Sequence, residues 1–320
     1  MMEDSIPRQG KRNREDEEEY FQRKESQERK RQKGEIKRRP RKQRRPMKIT
    51  AIKPETFESL YTVGEKLGVG ACGTVFAGTR VSDGLQVAIK FVQKLQIDRY
   101  VQSSVDSRSI PIEVALIKKM SEPPVRNIIQ LIQWFDEPER YIVVMELFRP
   151  CMDLFDFVHR DRESLSEEMA RHIMVQAIEA ATECHKRGVL HRDIKLENFL
   201  INTNTFEIKM IDFGCGDFFT ESEFDHFIGT EKFCPPEFIL SGSYHATPLT
   251  VWSLGVFLFI MVNGFYPFTT TQDIIDGNLH FQDHLSHEIC DLIRWCLQED
   301  PTWRPSLQQI FQHPWFEWSV

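Results

Sequence analysis

The span His191-Arg192-Asp193-Ile194-Lys195-Leu196-Glu197-Asn198, followed by Asp212-Phe213-Gly214, concentrates acids, a lysine and an amide in a short reach of chain. These residue types suit phosphoryl chemistry. Asp193 is the type of group that accepts the proton of an attacking hydroxyl, and Lys195 the type that neutralises charge on a phosphoryl group in transit. Asn198 and Asp212 offer the hard oxygen ligands that magnesium prefers. A surface loop charged by chance would reproduce any one of these positions. It would not reproduce the whole eight-residue string with the Asp-Phe-Gly triplet behind it.

Chemistry of this kind needs a phosphate cradle, and the chain offers one upstream. Leu67-Gly68-Val69-Gly70-Ala71-Cys72-Gly73-Thr74-Val75 places glycines where a hairpin must lie close over phosphates. Alone, that spacing would as often be a plain glycine-rich turn. It gains meaning from Val87-Ala88-Ile89-Lys90, an apolar strand carrying one lysine, because a buried lysine is costly unless paired. The partner expected is Glu113, on the helical stretch from Pro111 to Lys119. The polar linker between Lys90 and Glu113 has no readable conformation.

Two further strands, Ile128–Phe135 and Tyr141–Glu146, complete a small antiparallel sheet. At Glu146-Leu147-Phe148-Arg149-Pro150 the strands give way to helices. This is the natural hinge, whose backbone amides and carbonyls, with Met145 beside them, would hold an adenine. Ser166–Arg187 predicts a strong helix, capped by Ser166, with Glu167 and Glu168 in its first turn and Gly188 as its stop. Val251–Val262 predicts a second, buried helix, too short to span a bilayer. Glu237 and Arg304, both costly to bury unpaired, predict a salt bridge at the end of the loop that follows Asp212.

Composition bounds the rest. A chain of 320 residues with 41% apolar content can fill a proper core. Seven scattered cysteines without a CxxC pair read as reduced thiols, which points to the cytosol or nucleus. No N-terminal apolar stretch suggests a signal peptide, and no membrane association is expected. Residues 1–50 carry 18 Lys and Arg against 10 Asp and Glu, a balance of +8, which leaves 23 against 38, or −15, in the remainder. Residues 1–52 read as a disordered charged tail, since so polar a segment cannot offset its ordering entropy. Its basic run, Lys37 to Arg45, would be a nuclear-import signal, an RNA-contacting arm or a solubilising tail, or the tail would fold back on its own acidic body. The acidic body does not look like a nucleic-acid binder but would attract basic peptides. The chain is taken as a monomer.

From Tyr61 to Phe316 the chain resembles the eukaryotic protein-kinase domain. Lys195, two residues after Asp193, and Gly229-Thr230 resemble the serine/threonine branch. Several strings are similar to the Pim family: Met152 to Phe157, Gly188 to Asp193, Val251 to Gly255 and Leu292 to Leu297. Thr250 stands where most kinases have Asp, a departure that family shares. The resemblance implies an α+β, bilobal fold. Its N-lobe, 61–145, is a small antiparallel sheet with one helix, the hinge is 146–152, and the C-lobe, 153–318, is mainly helical. It implies ATP and Mg2+ as cofactors, with Leu67, Gly68, Val69, Gly70, Gly73, Val75, Ala88, Lys90 and Leu200 around the nucleotide. Lys90, Glu113, Asp193, Lys195, Asn198 and Asp212 carry the chemistry, with Asn198 and Asp212 on the metal.

Substrates with Arg or Lys before the phosphorylated Ser or Thr are implied, received by Asp153, Asp156 and Glu197; as plain residues, the two aspartates would equally suit a helix start. Leu196 replaces an acid common in the family. Activity without loop phosphorylation is implied as well, with one of Glu221, Glu223 and Asp225, Glu221 foremost, the expected partner of Arg192 in place of a phosphate. Family members carry proline at the hinge position of Phe148, so this chain regains an amide donor there. Cys72 sits at the glycine-rich tip where an aromatic is usual. The competing class is a pseudokinase scaffold, against which stands the full set of catalytic positions. A second is a nucleic-acid binder acting through the tail.

Overall fold

The computed structural model describes residues 55–70, 73–97, 99–102, 109–160 and 164–317. The expectations for the charged tail and for Cys72 lie outside the described residues.

A short helix, α1 (Phe57–Leu60), leads into strands β1 (Tyr61–Gly70), β2 (Gly73–Arg80) and β3 (Gln86–Gln93). The stretch from Lys90 to Glu113, unreadable from sequence, contains a small hairpin of β4 (Tyr100–Gln102) and β5 (Ser109–Pro111). It runs directly into helix α2 (Ile112–Ser121). Strands β6 (Leu131–Asp136) and β7 (Arg140–Glu146) then complete a five-stranded antiparallel sheet in the order β1-β2-β3-β7-β6. Ile128 and Ile129, expected in strand, lie before β6; Ile128 instead bridges to Met210.

Alternation along β3 decides which way Lys90 faces. Successive side chains in a strand point to opposite faces. Val87 and Ile89 pack with Phe57, Tyr61, Ile142 and Val144 on one face. Ala88 and Lys90 therefore share the other, with Ala88 opposite Met145 and Lys90 opposite Val143 in register. Two register shifts interrupt β1, between Val63 and Lys66 and between Lys66 and Gly68, where the strand approaches the glycine-rich turn. Gly73 is obligatory: its φ is 143°, and a Cβ there would stand 2.3 Å from the Phe91 carbonyl oxygen.

The second half is built on helices. After β8 (Cys151–Asp153) come α3 (Leu154–His159) and α4 (Glu167–Lys186). Ser166 Oγ accepts from the Met169 amide at 3.3 Å, and Gly188 follows the helix at φ 64°. The catalytic string runs from β9 (Val189–Leu190) to β10 (Phe199–Asn202), which pairs with β8 on one side and β11 (Ile208–Met210) on the other. Strand β12 (Asp217–Phe218) returns to pair with β9. Helices α5 (Pro236–Ser241), α6 (Ala246–Asn263), α7 (Thr271–Asp276), α8 (His287–Cys296) and α9 (Leu307–Phe311) finish the fold.

Helix α6 starts five residues before the expected Val251, because Pro248 falls in its first turn, where proline is tolerated. It is buried over 89% of its length, which makes it a core helix around which α4 and α8 pack. The architecture is α+β: an antiparallel sheet with one long helix, followed by a mainly helical half.

Candidate active site

Three elements bring the chemistry together. From β3, Lys90 Nζ lies 2.5 Å from Glu113 Oε1 on α2 and 3.0 Å from Asp212 Oδ1 on the loop after β11. The lysine is buried and has two counter-charges, which offsets its desolvation. Burial raises the Glu113 carboxyl above its ordinary value, with Lys90 opposing. Burial acts the same way on Asp212. There, however, the Lys90 ammonium and the bonds from Lys90 and the Gly214 amide outweigh it, and the carboxyl lies below its usual range.

Asp193 is held from all sides. Its Oδ1 accepts from the Thr230 amide at 3.1 Å and from Thr230 Oγ1 at 2.9 Å. Its Oδ2 accepts from Asn198 Nδ2 at 2.8 Å and faces Lys195 Nζ at 2.9 Å. Lys195 also donates to Thr230 Oγ1 at 2.7 Å. Burial works against the Lys195 charge, but the bond to Asp193 more than compensates, and its pKa is raised. Thr230, expected only as a mark of the serine/threonine branch, thus belongs to the site itself. Gly229 before it has φ 145°, and a Cβ would stand 2.7 Å from the Arg192 carbonyl oxygen.

The loop is strained in a directed way. Arg192 and Asp212 adopt left-handed φ values of 64° and 60° without being glycine. His191 underlies both. Its Nδ1 accepts from the Asp193 amide at 3.3 Å, so Nε2 carries the proton that it donates to the Ile211 carbonyl at 3.0 Å. Burial lowers its pKa and keeps the ring neutral. Phe213 is fully buried and meets His191 edge to face at 5.0 Å.

The donor set fits a hard cation. Asn198 Nδ2 also donates to the Asp193 carbonyl at 2.8 Å, which turns the amide so that its oxygen is left for a ligand. Asp212 commits Oδ1 to Lys90 and Gly214. Among the described residues no group of three or more His, Cys, Asp and Glu could hold a metal. One carboxylate and one amide oxygen, with water and phosphate completing the shell, is how magnesium is usually held.

At the hinge, Glu146 is committed through its side chain: Oε1 accepts from the Gln130 amide at 3.0 Å and pairs with Lys209 at 2.7 Å. The Phe148 carbonyl accepts from Cys151 Sγ at 2.8 Å, while among the described residues its amide donates to no backbone group. Leu67 and Val69 are exposed on β1, and Val75, Met145 and Leu200 are half-buried.

Asp153 caps α3, accepting from the Asp156 amide at 2.8 Å, so the helix-start role is real. Burial and the charge of Asp156 raise its pKa. Asp156 is exposed and Glu197 half-buried. One expectation is overturned: Arg192 pairs with Asp217 at 3.0 Å, not with Glu221, which is exposed. The arginine lies 3% exposed beside β12, and Asp217 is the acid that strand pairing with β9 carries to it. Glu221 sits four residues further along, on the exposed loop.

Comparison with known sequences agrees with this geometry. The profile of the protein kinase domain matches residues 61–316. Serine/threonine-protein kinase pim-2 of Danio rerio is 44% identical over 267 residues, covering 82% of this chain and 86% of that protein. Serine/threonine-protein kinase prk-2 of Caenorhabditis elegans is 37% identical over 81% of this chain, which spans 58% of that protein. The SNF-related serine/threonine-protein kinase of Homo sapiens is 32% identical, and the match covers 81% of this chain but only 34% of that larger protein. With the Lys90–Glu113–Asp212 bridge and the Asp193–Thr230 contact tied together through His191, the chain belongs to the protein kinase family and is a Pim-like serine/threonine kinase.

Proposed function

We propose that this kinase transfers the γ-phosphate of magnesium-bound ATP to Ser or Thr in basic protein substrates, and that it does so without phosphorylation of its own activation loop. The observation that carries the proposal is the Asp193–Thr230–Lys195 triangle, formed while Lys90 already bridges Glu113 and Asp212. ATP and a divalent metal are the family's working pair, and magnesium is the ion that suits Asn198 and Asp212. Bound there, it would neutralise charge developing on the phosphates.

The remaining work falls to side chains. Lys90 faces the cleft, where its ammonium would orient the inner phosphates. Asp193 would accept the proton of the substrate hydroxyl. Both of its oxygens are already saturated by Thr230, Lys195 and Asn198, so one donor must give way. Lys195 is the donor suited to do so, since its flexible stem allows the ammonium to swing onto the phosphoryl group. Asp153, Asp156 and Glu197 are acids available to pair with basic side chains of the substrate.

The test uses full-length chain made in bacteria and treated with phosphatase, then offered magnesium-ATP and a positional-scanning Ser/Thr peptide library. The expected result is immediate incorporation, with Arg and Lys enriched before the acceptor. Activity appearing only after Thr220 or Ser222 is phosphorylated would overturn the first half. A profile indifferent to basic residues would overturn the second.

A further inference from the structure

The segment after Asp212 is clamped from two directions by arginines that share one acid. Arg99 lies in the linker just before β4. Its Nη2 donates to the Gly214 carbonyl at 2.8 Å and its Nη1 to the Gly216 carbonyl at 2.8 Å. Nη1 also lies 3.3 Å from Asp217 Oδ2. From the catalytic loop, Arg192 Nη2 reaches the same Oδ2 at 3.0 Å, while its Nε donates to the Cys215 carbonyl at 2.8 Å. A guanidinium only 3% exposed needs a counter-charge, and among the described residues Asp217 is the acid that supplies it.

We propose that Asp217 and Arg99 are positioning residues that lock helix α2 and the metal-binding loop into their working arrangement, replacing an activation-loop phosphate. This deepens the phosphorylation-independent reading above and rests on it. Three contacts give the lock its direction. The Arg99 carbonyl accepts from the Ile112 amide at 3.2 Å, at the first residue of α2, so the arginine is tied to the helix that presents Glu113. Gly216 is pressed against that same helix: a Cβ there would stand 2.7 Å from Leu116 Cδ1 and 3.0 Å from the Leu190 carbonyl oxygen. On the far side, the Arg192 guanidinium lies 5.6 Å from the Phe224 ring, which stacks on Tyr244 at 5.5 Å. Phe224 and Tyr244 also exchange backbone hydrogen bonds at 2.8 and 3.1 Å. One carboxylate thus connects the N-lobe helix, the metal loop, the catalytic loop and the later activation segment. An aspartate pairs with both arginines without a modifying enzyme, so the lock is closed as soon as the chain folds.

The test compares full-length wild type, Asp217→Asn, Asp217→Glu, Arg99→Ala and the Asn/Ala double variant, all phosphatase-treated. Peptide kinetics are combined with hydrogen exchange of the amides in 112–121 and 213–217. Asp217→Asn and Arg99→Ala are each expected to lower kcat at least tenfold with peptide KM within about twofold. The double variant should lose no more than the worse single one, and Asp217→Glu should recover part of the rate. Exchange over 112–121 should quicken severalfold in both single variants. Unchanged exchange there in either single variant, or wild-type kcat in Asp217→Asn, overturns the proposal. If Asp217→Asn fails to fold, Arg99→Ala, which leaves Asp217 paired with Arg192, carries both readouts by itself. An inert dephosphorylated wild type would overturn the reading on which the lock rests, while the exchange data would still report whether Arg99 and Asp217 hold the helix.

Discussion

Asp193 accepts four hydrogen bonds from three residues, and none of those partners is its neighbour in the chain. Thr230 comes from 37 residues away. Such saturation holds the carboxylate in one rotamer and costs little, because the donors would otherwise be buried unsatisfied themselves. The two left-handed residues, Arg192 and Asp212, flank it and aim their side chains where an ordinary backbone would not. Replacing Asp193 by Asn keeps the shape but removes the proposed base. The expected loss in kcat is about 4 kcal/mol or more, on the order of a thousandfold. Peptide phosphorylation by the purified variant measures it. A loss below tenfold would mean that Asp193 is not the proton acceptor.

At the scale of elements, the fold closes its activation segment with an ion pair. Arg304 donates through Nη1 to Glu237 Oε1 at 2.8 Å and through Nη2 to Oε2 at 2.6 Å, in the two-pronged geometry arginine favours. Its side chain is 1% exposed and lies 4.8 Å from the Trp252 ring on α6. Further bonds to the Gln298 and Pro248 carbonyls leave it little freedom. Glu237→Ala strands a buried cation, and the expected cost is about 3 kcal/mol or more of unfolding free energy. Urea denaturation reads it as a lowered midpoint at unchanged slope. This pair was legible in the sequence because both partners are charged and sit in apolar surroundings. The hairpin of β4 and β5 was not: its strands are three residues long, too short for an alternating pattern to register.

For the molecule as a whole, burial of neutral histidines against the core helices sets an acid limit. His185, near the end of α4, donates through Nε2 to Thr250 Oγ1 at 3.0 Å on α6, since that hydroxyl gives its own proton to the Ala246 carbonyl. Burial pushes its pKa down from 6.5 to about 4. The sign follows directly. Between these values the unfolded chain binds a proton that the folded chain refuses, so folding stability is complete above about 6.5 and is lost as pH falls toward about 4. The expected contribution from His185 is on the order of 2 kcal/mol, allowing for its partial exposure. Thermal midpoints from pH 7.5 to 4.5 should fall more steeply in wild type than in His185→Gln. Parallel curves would refute the assignment.

How much of this was legible in the order of residues depends on how local the physics is. The catalytic string, the glycine-rich hairpin, the lysine-bearing strand and the capped helix from Glu167 to Lys186 are each specified within a short stretch. There, side-chain chemistry, strand alternation and capping act between neighbours. The acidic partner of Arg192 could not be read that way. Glu221 and Asp217 look alike in sequence, four residues apart on one loop; only the pairing of β12 with β9 brings one to the arginine and leaves the other in solvent. Thr230 at Asp193 and Arg99 at the loop after Asp212 have the same character. A hydrogen bond depends on position to within tenths of an ångström, and across a hundred residues that position is set by the packing of the whole molecule.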